Sequence, residues 1–296
     1  MSVSEPAGHQ DPVGAEGHVG PFVTFVEHRR PDGHLSRWES RRHRKRPETA
    51  PAAGSTWWAP GARGWWIAVL FAIGSVLFAL GSAPGYVGAV GTSWDAVTFF
   101  IGSLFFTSAG LLTYREAVDA AAPLPGASGR RFFVVQSARI DWWASAVQLA
   151  GTAFFNVSCG YALQQNLTAE GATHHVWRPD ALGSICFLVA STLAWAEVCH
   201  GWVAWRPHSW SWWITGINLT GSVAFGLSAV AAYIDPTTGQ VNNADRSALF
   251  TFVGAVCFLL GAVLLLPERT EKADNPGRDH LQSPPRASSK GPTTSK

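Results

Sequence analysis

The chain has 296 residues, 22 Lys+Arg, 20 Asp+Glu and a formal net charge of +2, so no global basic field points to nucleic acid. Its four cysteines, Cys159, Cys186, Cys199 and Cys257, form no CxxC pair, which argues against a metal knuckle and for small buried apolar residues. Arg outnumbers Lys 18 to 4, and Ala and Gly are abundant, a bias of GC-rich bacterial genomes.

Residues 1–60 are polar and basic and contain no apolar h-region of a signal peptide. Within them, residues 22–40 hold Pro31-Asp32-Gly33 between two alternating runs, which reads as a turn with room for a small hairpin. Arg41, Arg42, Arg44, Lys45 and Arg46 then crowd together before the first apolar segment. Beside a membrane such a run attracts anionic headgroups, at about 1 kcal/mol per basic residue. Nucleic-acid binding is the rival reading of a basic run, and its place next to an apolar segment favours lipid.

A bilayer core about 30 Å thick needs roughly 20 apolar residues in a helix. Six segments come near this, Trp65–Gly81, Ala96–Tyr114, Ala144–Leu163, Leu182–Ala204, Trp212–Ile234 and Ala248–Leu266. The expected domain, 61–268, is therefore all-α with six transmembrane helices. The N-terminus, the even loops and the C-terminus together hold 20 of the 22 Lys+Arg; the other side holds Arg178 and Arg246. Both termini are thus expected in the cytoplasm, in a cell membrane. Residues 269–296 are polar, rich in Pro and Ser, and read as a disordered cytoplasmic tail.

Spans one, three and five share a pattern, WW-x7-G-[ST]-x-x-F. It runs Trp65-Trp66 to Gly74-Ser75 and Phe78, Trp142-Trp143 to Gly151-Thr152 and Phe155, and Trp212-Trp213 to Gly221-Ser222 and Phe225. The even spans echo one another through Phe100-Ile101-Gly102-Ser103, Leu188-Val189-Ala190-Ser191 and Phe252-Val253-Gly254-Ala255. The reading is three parallel helical-hairpin repeats, about 61–116, 139–205 and 208–268, with approximate threefold symmetry. Trp prefers the headgroup boundary, so each pair marks the cytoplasmic interface. The small pair lies about 12–14 Å deeper, at ~1.5 Å per residue, where small residues let helix backbones approach.

These hairpins resemble the YrhK-like membrane domain, in its multi-hairpin actinobacterial versions. The resemblance rests on the Trp start, the G-S-x-x-F notch and the stretch Phe100–Phe106. It extends to Arg37–Lys45, Arg139–Asn156 and Arg178–Ser191 and covers most of residues 20–268. It implies the membrane fold; the family has no established activity and no assigned catalytic residues.

Differences among the repeats mark candidate sites. Aligned on the even-span echoes, the middle repeat alone carries Glu197 and His200, where the others have Ala109 and Leu112, Gly261 and Leu264. Past the Trp pairs, Gln148, Asn218 and Asn156 are the unusual polar residues. Gln148, Asn218 and Glu197 fall about 8–12 Å from the cytoplasmic end, deep enough to share one polar layer. An ionisable group inside a span often marks a relay or ion path. The plainer alternative ends the fourth span near Trp195, which makes Glu197 an interfacial anchor like Glu116 and Glu268. In the second outer loop Glu170, His174, His175 and Asp180 offer metal-ligand types without a defined spacing, and Cys159 and Cys186 are a weak disulfide candidate.

No cofactor motif and no nucleophile in a convincing context accompanies these residues. The expected function is a non-enzymatic multi-pass membrane protein, a scaffold or a binder of lipid, of a protein partner or of its own copies. The alternative is a small transporter or channel with its polar layer at Gln148, Glu197 and Asn218.

Overall fold

The computed structural model describes residues 16–29, 35–45, 57–120, 136, 138–164 and 166–270. An N-terminal arm comes first. Its strands β1 (Glu16–Val19), β2 (Phe22–Arg29) and β3 (Leu35–Glu39) form an antiparallel sheet in that order, and α1 (Ser40–Lys45) follows directly. Gly20 makes the first turn at φ +57°, a conformation that suits a residue without Cβ. β2 and β3 pair from Phe25↔Glu39 to Arg29↔Leu35; Pro31-Asp32-Gly33 lie outside the described residues. The sequence pattern pointed to one hairpin and an all-α chain. The structure adds a third strand, too short at four residues to show a period.

Then come α2 (Arg63–Gly81), the short α3 (Tyr86–Val90), α4 (Thr92–Asp119) and α5 (Ile140–Ala162). α6 (Ala169–Ala172) runs through a π-helical turn, Thr173–Trp177, into α7 (Arg178–Cys199); α8 (Trp210–Ala231) and α9 (Ala244–Thr270) complete the order. Among the described residues, five helical stretches are long and apolar enough to cross a membrane: α2, α4, α6 through α7, α8 and α9. α5 has similar length but carries Asp141, Ser145, Thr152 and Ser158, all buried against its neighbours.

Each long helix touches two others, α2 with α4 and α9, α5 with α4 and α7, and α8 with α7 and α9, so the six close into a ring. The closest approaches are between glycines. A Cβ on Gly74 would lie 3.1 Å from the Gly102 carbonyl oxygen, one on Gly183 3.1 Å from that of Gly151, and one on Gly254 3.1 Å from that of Gly221. Thus α2 crosses α4, α5 crosses α7 and α8 crosses α9 at the same kind of notch. The counterpart of Gly102 and Gly254 on α7 is therefore Gly183, not Ala190. This corrects the register taken from Leu188–Ser191 by seven residues.

With that correction every long helix carries G-[STA]-x-x-F, ending at Phe78, Phe106, Phe155, Phe187, Phe225 and Phe258. The residue after each glycine (Ser75, Ser103, Thr152, Ser184, Ser222 or Ala255) is at most 2% exposed. All six phenylalanines are buried in one cluster, joined by edge and tilted ring contacts with centroids 5.3–6.3 Å apart. Such pairs contribute about 0.5–1.5 kcal/mol each beyond area burial. The centre of the ring is thus packed with aromatic side chains.

The tryptophan pairs divide their labour. Trp65 and Trp142 turn inward, while Trp66, Trp143 and Trp213 remain exposed on the flank. Two of the pairs are pinned identically by the preceding loop. Trp65 Nε1 donates to the Trp57 carbonyl and Trp66 Nε1 to that of Pro60; Trp212 Nε1 donates to Ala204 and Trp213 Nε1 to Pro207.

Candidate functional site

The polar chemistry gathers at one end of the bundle, under α1. Three residues of this single helical turn and a half, Arg41, Arg44 and Lys45, lie at spacings of three and four and so share a face. Each reaches the last turns of a different helix. Arg41 grips Glu268 of α9 with two nitrogens, Nε to Oε1 at 2.8 Å and Nη2 to Oε2 at 3.1 Å. Lys45 Nζ lies 2.7 Å from Glu116 Oε2 on α4. Arg44 Nη2 lies 3.3 Å from Glu197 Oε2 on α7, and its Nη1 lies 3.0 Å from Asp141 Oδ2 on α5.

Hydroxyls complete the shell. Ser40 Oγ donates to Glu197 Oε1 at 2.7 Å, and Ser211 Oγ donates to Glu268 Oε1 at 2.5 Å. Arg139 also binds Asp141. Four cations thus face four carboxylates, which is how charge can be buried at all. Burial alone would lower the Arg44 guanidinium, but Glu197, Asp141 and Glu116 outweigh it and hold it above the usual arginine range.

Glu116, Glu197 and Glu268 each stand fourteen residues past the notch glycine of their helix, Gly102, Gly183 and Gly254. Helical geometry therefore delivers all three to one level, about 21 Å from the crossing. Glu197 is not peculiar to one hairpin; it is one of three matched carboxylates. The anchor alternative for Glu197 describes this geometry, with protein cations in place of headgroups. Its contrast with Ala109 and Gly261 came from the shifted register.

His200 lies against the arm rather than in the polar layer. It closes α7 in the left-handed region, φ 51°, with Nε2 4.0 Å from Glu39 Oε1 and its ring 4.9 Å from that of Phe25. Gln148, Glu197 and Asn218 do line one chamber, of about 90 Å³. Arg41, Arg44 and Lys45 bound this chamber on the arm side, and Phe71 and Phe258 bound it toward the aromatic cluster. A space of about 10–15 Å³ takes one water, so several fit. Asn218 sits against Gly261, where even a Cβ would collide with its amide. Asn156 is elsewhere, donating from Nδ2 to Thr107 Oγ1 at 2.7 Å across the α4–α5 contact.

The headgroup role expected of Arg41, Arg44 and Lys45 is displaced by these protein carboxylates. The side chain of Arg42, and Arg46 altogether, lie outside the described residues. In the π-helical turn before α7, His174 Nδ1 contacts Arg178 Nη1 at 3.0 Å and His175 stacks on Tyr161. Among the described residues no three His, Cys, Asp or Glu side chains are grouped to hold a metal. Cys159 and Cys186 are free thiols.

Sequence reasoning missed Asp141 and the equal register of Glu116, Glu197 and Glu268, which it named together only as interfacial anchors. The signal was present, because G-S-x-x-F recurs at Gly183–Phe187, with a glutamate ten residues beyond each even-helix phenylalanine. No family model matches this chain, and no curated protein or solved structure matches it either.

Proposed function

We propose that this is a multi-pass membrane protein without a transport path or a catalytic centre, acting as a scaffold or binding module in the cell membrane. The observation that carries this reading is the aromatic plug. Six phenylalanines occupy the bundle centre where a conduction path would run, with partners on every side.

Six spans, rather than five, belong to the same proposal. The polar residues that lower the apolar character of α5 are buried, and its 23 residues rise about 34 Å, enough for a bilayer core. The bond between Arg41 and Glu268 brings the start of the bundle and the end of α9 to one face, as an even number of crossings requires. The Lys/Arg distribution makes that face cytoplasmic. Three parallel hairpins about an approximate threefold axis, and the kinship with YrhK-like domains, are supported by the three equal glycine crossings and the three equal glutamate spacings. Headgroup contact then falls to Trp57, Trp58, Trp202 and Trp205, all exposed and flanking the pinned tryptophan pairs.

A transporter is the second reading, because Gln148, Glu197 and Asn218 do line one chamber. Purified protein in sealed vesicles separates the two. Flux of protons, potassium ions or glycerol is expected to equal that of protein-free vesicles. Flux above that level, abolished by Gln148→Leu with Asn218→Leu, would establish the transporter.

A further inference from the structure

The chamber has an uneven boundary. Its walls, including Gln148, Ser191, Thr215 and Asn218, belong to the long helices, whose crossings are fixed by glycine notches and the phenylalanine cluster. Among the described residues, Arg41, Arg44 and Lys45 of α1 line it on the arm side. A six-residue helix is far too short to persist by itself. What holds it in place is the set of ion pairs to Glu116, Asp141, Glu197 and Glu268, the bond from Ser40 to Glu197, the ring contact of Phe25 with His200, and one small apolar patch where Val19 and Phe22 of the arm meet Ile140, Leu193 and Ala196.

We propose that the N-terminal arm is a lid over the arm side of this chamber, which opens when its carboxylate partners release it together. The geometry suits a two-position element. The bundle beneath does not depend on α1 for its helix crossings, so the arm can leave without dismantling its seat. The three contacts lie on one face of one short helix, so losing two leaves the third with little geometric support. The hold is charge-based, and Arg41 and Lys45 are its outer, less buried members, each 12% exposed at the side chain. Partly buried pairs of this kind are screened by salt far less than surface pairs, so neutralising the cations is the way to break them. In the open position three carboxylates and the chamber face water or a basic partner. In the closed position they are satisfied within the chain.

The test uses the full chain carrying Gln148→Cys, in lipid nanodiscs, with a charged maleimide as probe and the rate of the unsubstituted chain as baseline. With the arm intact, Cys labelling at this position is expected to be slow. Adding Arg41→Gln, Arg44→Gln and Lys45→Gln is expected to raise the rate about a hundredfold or more, as for a closed state that was open less than about 1% of the time. Should the triple variant lose its helical circular dichroism, the milder pair Arg41→Gln with Lys45→Gln decides, because it leaves Arg44 on Glu197 and Asp141. Labelling of this variant should then be faster than that of the Gln148→Cys chain with helicity unchanged. Fast labelling with the arm intact, or a rate indifferent to both sets of neutralisation, overturns the lid.

Discussion

Gly183→Val lowers the thermal unfolding midpoint in detergent sharply, with a loss of about 3 kcal/mol, while Gly183→Ala loses about 1 kcal/mol. The Cβ of alanine already lies 3.1 Å from the Gly151 carbonyl oxygen and 3.2 Å from the Phe155 ring. The approach is equally tight from the other side, where a Cβ on Gly151 would meet the Gly183 carbonyl at 3.2 Å and Phe187 at 3.1 Å. Alanine is accommodated by a few tenths of an ångström of movement. The branched carbons of valine demand that α5 and α7 separate, and the separation opens the contact between Phe155 and Phe187, now 5.3 Å between centroids. In lipid no hydrophobic gain compensates for that separation, since the tails are as apolar as the side chains. Ile185→Val, on the exposed flank of the same helix, should stay within about 0.5 kcal/mol. Thermal unfolding of the three variants side by side checks the register of α7 as well as its packing.

Arg44→Met produces the second large effect, a destabilisation of about 3–5 kcal/mol. Methionine fills much of the volume, so the loss comes from charge. Glu197 and Asp141, 2% and 1% exposed, lose the guanidinium that bridges them. Ser40 still donates to Glu197 and Arg139 still binds Asp141, which keeps the effect at the lower end of that range. Arg44→Lys keeps the charge but has a single ammonium in place of two forked nitrogens, so it can reach only one of the two carboxylates well. It should fall between wild type and Arg44→Met when the three are compared by thermal unfolding.

The membrane character and the helix positions were legible because apolar runs of this length, repeated along one chain, suit a bilayer far better than a water-soluble core. The Trp65, Trp142 and Trp212 pairs marked three helix starts because Trp has a strong preference for one depth. The register of α7 was misread for a physical reason. Small residues recur along it at Gly183-Ser184 and at Ala190-Ser191, and both pairs are useful, the first at the α5 crossing and the second against Ser222 of α8 at 2.7 Å. Choosing between them needed the phenylalanine three places on, which only Gly183-Ser184 possesses. The end of the fourth span was set too late, at Ala204, because Trp202 and Val203 extend the apolar run beyond the point where His200 stops the helix.

The basic run was harder. Arg41, Arg44 and Lys45 are separated from their partners by 71 to 227 residues, and a cation beside a membrane reads equally well as a lipid contact. Only the closed ring, which gathers the ends of α4, α7 and α9 at one level, turns three scattered glutamates into one receptor.

Charge exchange tests that receptor most directly. Lys45→Glu with Glu116→Lys, and Arg41→Glu with Glu268→Arg, each reverse a pair in place. The crossed variant, Arg41→Glu with Glu116→Lys, reverses one charge from each of two different pairs. Thermal unfolding of the single and double variants should show both matched doubles recovering stability lost by their singles, with coupling of about 0.5–3 kcal/mol, and the crossed double recovering none. Equal losses in matched and crossed doubles would contradict the assignment of one basic residue to each helix end, and with it the arrangement of the bundle beneath the arm.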